Sequence, residues 1–165
     1  MRETIRKQLH LGQVEIGSII FDPKSRDDIP QLLKGLQHIY MVDELREQIF
    51  DILEEITPED IDANNGRPGM ERWVIFVAGC LRLDLNMDYD RLHDLMNNHV
   101  KIRQMLGHGS FDDDYEYHLQ TIKDNVELLT PKILDRINQI VVDGGQQLLK
   151  KKTTKLLKAS VTHSL

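Results

Sequence analysis

Residues 70–95 read MERWVIFVAGCLRLDLNMDYDRLHDL. The left half is apolar, the right half is polar, and an Asn/Asp-rich break separates them. The apolar run Trp73–Leu81, WVIFVAGCL, is about half the ~20 residues a helix needs to cross a bilayer, and Arg72 and Arg82 bracket it. A membrane segment is excluded on length. A short apolar run is by itself ambiguous between a buried strand and a buried helix. Ala78, Leu81, Arg82 and Leu83 continue this one with good helix formers, and Gly79 costs a helix only about 1 kcal/mol relative to Ala. The spacing therefore predicts a helix from Met70 to about Leu85. Trp73, Phe76, Val77, Cys80, Leu81 and Leu83 spread widely around it, which predicts burial on most sides. LNMD is then a turn, Asp88 an N-cap, and YDRLHDLMNNHVKIRQMLG a second helix ending at Gly107. Leu92, Leu95, Met96, Ile102 and Leu106 form its inward face.

Outward from this hairpin the helical signal continues in both directions. Upstream, SRDDIPQLLKGLQHIYM offers Ser25 as an N-cap with Asp28 three residues on, a spacing like the capping box. Pro30 fits the first turn, and Ile29, Leu32, Leu33, Leu36, Ile39 and Tyr40 follow the helical i, i+3, i+4, i+7 rule. Before it, IGSIIFDP reads as a short extended piece or a docking arm. VDELREQIFDILEEI is another helix, with Leu45, Ile49, Ile52, Leu53 and Ile56 on one face and Asp43 or Glu44 at its positive end. The strongest break is DIDANNGRPGM, read as a surface loop over 62–69. Downstream, HGSFDDDYEYH is a loop, and HLQTIKDNVELLT a helix with Leu119, Ile122, Val126 and Leu129 inward. Thr130-Pro131 starts the last helix as N-cap and first residue. The expectation is an all-α chain of about six helices around a helix-turn-helix-like hairpin. Its organisation reads as an N-terminal helical segment 1–61, a helix-turn-helix-like domain 70–145 and a basic tail 146–165.

With 165 residues, 40% of them hydrophobic and 29% charged, the chain suits one domain with a moderate core or two small helical lobes. The net charge of −6 argues against nucleic-acid binding by bulk charge but leaves room for a local basic face. Residues 150–165 hold five lysines and no acid, so the first 149 carry −11. Such a tail can grip phosphate loosely, although a solvated helix end has the same composition. The single cysteine, Cys80, lies in the apolar run and is expected as a buried thiol in a reducing compartment. The N-terminus has no apolar h-region, so no secretory signal is expected.

A buried helix, a tight turn and a polar-faced helix make the arrangement of a DNA-binding helix-turn-helix. Tyr89 and six candidates, Arg91, Asn97, Asn98, Lys101, Arg103 and Gln104, are expected on the exposed face. Arg and Asn can bond base edges bidentately, and Lys neutralises phosphate. Arg67, Lys150, Lys151 and Lys152 are expected on phosphate. Asp88, Asp90 and Asp94 share the helix and repel phosphate, so an ordinary hairpin with a solvated face is the competing reading. DDDYE, residues 112–116, fails as a calcium loop, because Tyr117 stands where glycine is needed and Lys123 where the bidentate Glu belongs. It reads as a solvated acidic turn. The histidines are scattered, with His93 and His99 on different helix faces, and no zinc motif exists. Asp143 follows a β-branched run as nuclease metal ligands often do, but no Asp or Glu follows it, so a two-metal site lacks partners there.

GRPGMERWVIFVAGCLRLDLNMDYDRLHDLMNNHVKIRQMLG, residues 66–107, resembles the N-terminal region of bacterial insertion-sequence transposases of the DDE type. The resemblance lies in RPG before an apolar helix with LRL, then YDRLHDL, then IRQMLG. LQTIKDNVELLTPKILDRINQIVV continues it, and FDPKSRDDIPQLLKGLQHIY resembles the opening of one group of these proteins, so the match covers about residues 1–150. It implies a helical region that recognises the element's terminal inverted repeats and supports dimer assembly. It also implies an RNase-H-like domain beyond, carrying two Asp and one Glu on two metal ions. The chain is expected to stop at Leu165 before that domain, and so to be inactive alone. No cofactor is expected in it, and a divalent metal only in the missing catalytic domain. Tyr89, Asp90 and Arg91 match the family's motif at the start of the second arm, and Arg103, Leu106 and Gly107 match its close. The implied partners are transposon-end DNA and a second copy or a full-length transposase, at the bacterial nucleoid in the cytoplasm and away from membrane. The rival class is a helical dimerisation module that ignores DNA.

Overall fold

A computed structural model describes residues 14–56, 69–109 and 113–143. The chain is all-α: among the described residues there is no strand, and WVIFV lies within a helix. A 3-10 turn at Ile16–Ser18 precedes α1 (Asp28–Met41), α2 (Asp43–Ile56), α3 (Arg72–Asp84), α4 (Tyr89–Asn98), α5 (Val100–Met105) and α6 (Leu119–Val126). A further helix, α7, covers 131–143. No helix among the described residues is long and apolar enough to cross a membrane.

Each helix follows from its apolar spacing. α1 buries Ile29, Leu33, Leu36 and Ile39, and α2 buries Leu45, Ile49, Ile52 and Leu53. Only Val42 separates the two helices. Its extended backbone breaks the ladder, and Arg46 then holds the corner, donating to the Tyr40 carbonyl at 3.1 Å and pairing with Asp43 at 2.9 Å. The first turn of α1 begins later than its sequence suggests. Asp27, not Ser25, occupies the N-cap position, without a side-chain cap bond. Ser25 Oγ instead accepts the Asp27 N–H at 3.3 Å, closing a local turn that competes with the cap. Pro30 falls inside the first turn, where its missing N–H has no partner to lose. The segment before α1 is an arm laid on that helix: Gln37 Nε2 donates to the carbonyls of Ile16 and Ile19 at 2.9 and 2.8 Å, and both isoleucines are buried.

α3 is the centre. Every residue from Arg72 to Leu81 is buried, the result expected of a helix apolar around its whole circumference. Leu83 departs from the expected inward face: it is 40% exposed, because the last turn of α3 emerges from the elements packed around its middle. Trp73 is fully buried. Its ring packs against Tyr40 of α1, Phe50 of α2 and Phe76 of α3 at centroid distances of 5.2, 6.1 and 5.6 Å. Its Nε1 donates to the Met105 carbonyl of α5 at 2.9 Å. One side chain thus ties four helices, and its aromatic partners lie in the N-terminal helices as well as in the hairpin. α6 completes the packing with Ile122 and Val126 against α3 and α4. Thr130 Oγ1 accepts the Ile133 N–H at 3.4 Å, capping α7 as its Thr-Pro start predicts. Segments 1–61 and 70–145 contribute to one continuous hydrophobic cluster, from Ile16 to Ile137.

Candidate nucleic-acid interface

The hairpin turn is built as its residues require. Asn86 takes the left-handed conformation, φ 49°, which Asn tolerates better than most residues. Asp88 caps α4, its Oδ1 accepting the Arg91 N–H at 2.8 Å. α4 then buries Leu92 and Met96 and exposes Asp90, Arg91, Asp94 and Asn98. The exposed ridge carries mixed charge, and Asn98 Nδ2 is bonded to Asp94 Oδ1 at 2.8 Å. Arg91 makes no ion pair among the described residues, so its guanidinium is available to a ligand.

The second arm is not one helix. It breaks at His99, whose extended backbone ends α4 and starts α5. Asn97, Asn98 and His99 are all poor helix formers, and each has a competing bond. His99 Nδ1 accepts the Ile102 N–H at 3.3 Å and so caps α5. Burial lowers the pKa of His99, against the opposing pull of nearby Asp27, which suits the neutral ring that this cap needs. Past the break α5 packs on α1.

That break divides the candidate residues. Arg91 and Asn98 are exposed and Lys101 is half-exposed. Asn97 is turned to the loop: its Nδ2 donates to the Tyr117 carbonyl at 3.0 Å, and its Oδ1 accepts the Tyr117 N–H at 2.7 Å. Arg103, its side chain only 14% exposed, donates to the Met96 and Asp113 carbonyls at 3.4 and 3.3 Å and pairs with Asp113 Oδ1 at 3.5 Å. Gln104 Oε1 is buried without a hydrogen-bond partner among the described residues. Helical spacing alone put these three outward; partners beyond the helical repeat turn Asn97 and Arg103 in, and the Gln104 oxygen is buried without one among the described residues. Arg67 and Lys150, Lys151 and Lys152 lie outside the described residues.

Sequence reasoning missed a polar knot in the loop after α5. Asp113 is organised rather than solvated. Its Oδ2 meets His108 Nδ1 and the Gly109 N–H, both at 3.0 Å, and its Oδ1 accepts the Tyr115 N–H at 3.3 Å. Burial pushes the Asp113 pKa up, but its bonds to His108 and the backbone outweigh this and hold it below the ordinary carboxyl value. His108 Nε2 bonds the hydroxyl of buried Tyr117, whose phenol pKa burial raises. His108 also stacks on Tyr115, with centroids 5.5 Å apart. Asp113, Tyr115 and Tyr117 recur at every second position, the spacing by which an extended chain sets side chains on one side, and that was the available signal. The acid–base groups here are occupied with one another, so the knot fastens the loop to α4 and α5.

Cys80 is buried, and burial pushes its thiol pKa up, away from thiolate chemistry. Among the described residues no three His, Cys, Asp or Glu side chains gather in a group able to hold a metal. An open groove of about 430 Å³ runs between α2 and α7, lined by Gln48, Asp51, Ile52, Glu55, Arg136 and Ile140 among others. Comparison with protein-family models, curated proteins and solved structures finds no match to this chain.

Proposed function

We propose that this chain is a DNA-recognition and assembly region of a DDE-type transposase. The observation that carries this is the α3–α4 hairpin, a buried helix and an Asp-capped turn leading to a helix whose exposed ridge holds Arg91 without an ion-pair partner among the described residues. The sequence resemblance over residues 66–107 supports the same reading. Direct contact narrows to Arg91, with Asn98 and Lys101 beside it, because Asn97 and Arg103 are bonded internally and the Gln104 oxygen is buried. Arg91 is suited to a base edge or a phosphate. The test is a shift assay with the element's end sequence and random duplex at several salt concentrations. Binding that prefers the end sequence and weakens in Arg91→Ala and Lys101→Ala is expected. No preference, with both variants silent, removes the proposal.

Assembly without DNA is the second reading. It is favoured by α2, which carries Asp43, Glu44, Glu47, Asp51, Glu54 and Glu55 and borders the open groove. Sedimentation with and without duplex separates the two, since a dimer indifferent to DNA favours the second.

A further inference from the structure

Arg82 flanks the apolar run and Lys123 lies on α6, and neither stands out in the sequence as a DNA contact. The fold brings both to one aromatic ring. The Arg82 guanidinium carbon lies 4.1 Å from the centroid of Tyr89, and Lys123 Nζ lies 5.8 Å from the same centroid. The three residues come from the last turn of α3, the first residue of α4 and the last turn of α6, so they bracket the hairpin turn.

Both cations lack a carboxylate partner among the described residues. Asp88 accepts the Arg91 N–H, Asp124 accepts Gln120 Nε2 at 2.8 Å, and Asp84 and Asp90 make no ion pair among the described residues. The Nε of Arg82 is buried with no hydrogen-bond partner among the described residues. Cation–π attraction holds both charges at the ring, yet two like charges gathered without a counter-ion repel one another. An anion within reach of both lowers that cost. A guanidinium lying over a ring keeps the donors in its own plane free at the edge, the fork that matches phosphate.

We propose that Arg82, Tyr89 and Lys123 form a seat for a DNA backbone phosphate beside the α3–α4 turn. This rests on the DNA-binding reading and adds to it: the seat holds the duplex backbone beside the turn, by a contact separate from that of Arg91. Phosphate contacts set register without reading sequence, so the seat acts equally on any duplex.

The test measures affinity by fluorescence anisotropy for the element-end duplex and a random duplex across a salt series. The proteins are the wild type, Arg82→Gln, Lys123→Gln, the double variant and Lys123→Arg. Each Gln variant is expected to lower the slope of log K against log salt by about 0.9, the double variant by about twice that, and equally on both duplexes. Lys123→Arg keeps the wild-type slope. A wild type that binds neither duplex removes this inference together with the DNA reading. A wild type that binds, with Gln variants of unchanged slope, overturns the seat and leaves Arg91 standing. If Arg82→Gln loses helicity, Lys123→Gln at its half-exposed position decides alone.

Discussion

Replacing Trp73 by Phe isolates a single hydrogen bond at the centre of the fold. The phenyl ring keeps most contacts with Tyr40, Phe50 and Phe76 but has no donor for the Met105 carbonyl, 2.9 Å away in the native protein. That carbonyl sits at the end of α5, and no other donor among the described residues reaches it. A buried acceptor left unpaired costs about 1–3 kcal/mol. The lost pyrrole edge adds about 1 kcal/mol, at roughly 0.8 kcal/mol per buried methylene-sized group. The expected loss is therefore about 2–4 kcal/mol, a large share of the ~5–15 kcal/mol that holds a domain of this kind together. With a urea m value of about 2 kcal/mol/M, the unfolding midpoint falls by about 1–2 M. Trp73 is the only tryptophan, so the transition is followed by far-UV circular dichroism. Trp73→Leu, which also gives up the ring contacts, loses about 3–5 kcal/mol. A shift of under ~0.3 M in Trp73→Phe at unchanged m, against the m value just used, refutes the claim that this bond anchors α5 to α3.

Gly79→Ala adds a Cβ that meets Leu129 Cδ1 at 2.2 Å; repacking buried Leu129 costs about 1–3 kcal/mol against ~1 kcal/mol gained in helix propensity, so a net loss in urea-melt stability is expected. Asp88→Ala removes the acceptor of the Arg91 N–H and costs about 1 kcal/mol in the same melt, while Asp88→Asn stays within a few tenths. His99 has a pKa lowered from 6.5, first by burial. The unfolded chain therefore takes up that proton first as pH falls, so this contribution to stability is present above pH 6.5 and is lost as pH drops through the folded value. Urea midpoints measured between pH 7 and 5 are expected to fall more steeply for the wild type than for His99→Asn, which keeps a side-chain acceptor and does not titrate there.

The architecture was legible because it rests on local periodicity. α1, α2, α3 and α6 each bury residues that their spacing singles out, and the Asp88 and Thr130 caps sit where their residue types predict. The errors have two causes, one local and one tertiary. Ser25 has the spacing of a cap, but its hydroxyl is taken by a bond two residues away. The arm after Asp88 has the apolar period of one helix, and three weak helix formers in a row were too slight a signal on their own. What breaks it is tertiary: the Asn97 amide clamps the backbone of Tyr117, twenty residues on. A periodicity sees one helix at a time and cannot register a partner on another segment.

The same limit governs the candidate interface and decides where contact with DNA should be sought. Polar residues at outward positions of α4 and α5 divide according to whether a distant carboxylate or carbonyl claims them. Arg103 is claimed by Asp113 and Asn97 by Tyr117, whereas Arg91 is not claimed among the described residues. Conversely, Arg82 and Lys123 are 41 positions apart in the chain and gain meaning only when α3 and α6 pack beside α4. A helix with Asp90 and Asp94 exposed beside Arg91 repels phosphate along most of its ridge. On the proposed reading its attraction to DNA is therefore confined to a few points. Random duplex, which supplies phosphates but not the right base edge, should then be held weakly, and the end sequence should owe its advantage to Arg91. An interface of this kind gains specificity from its acidic surroundings and gives up bulk affinity to them, so a chain of net charge −6 can still be a DNA reader.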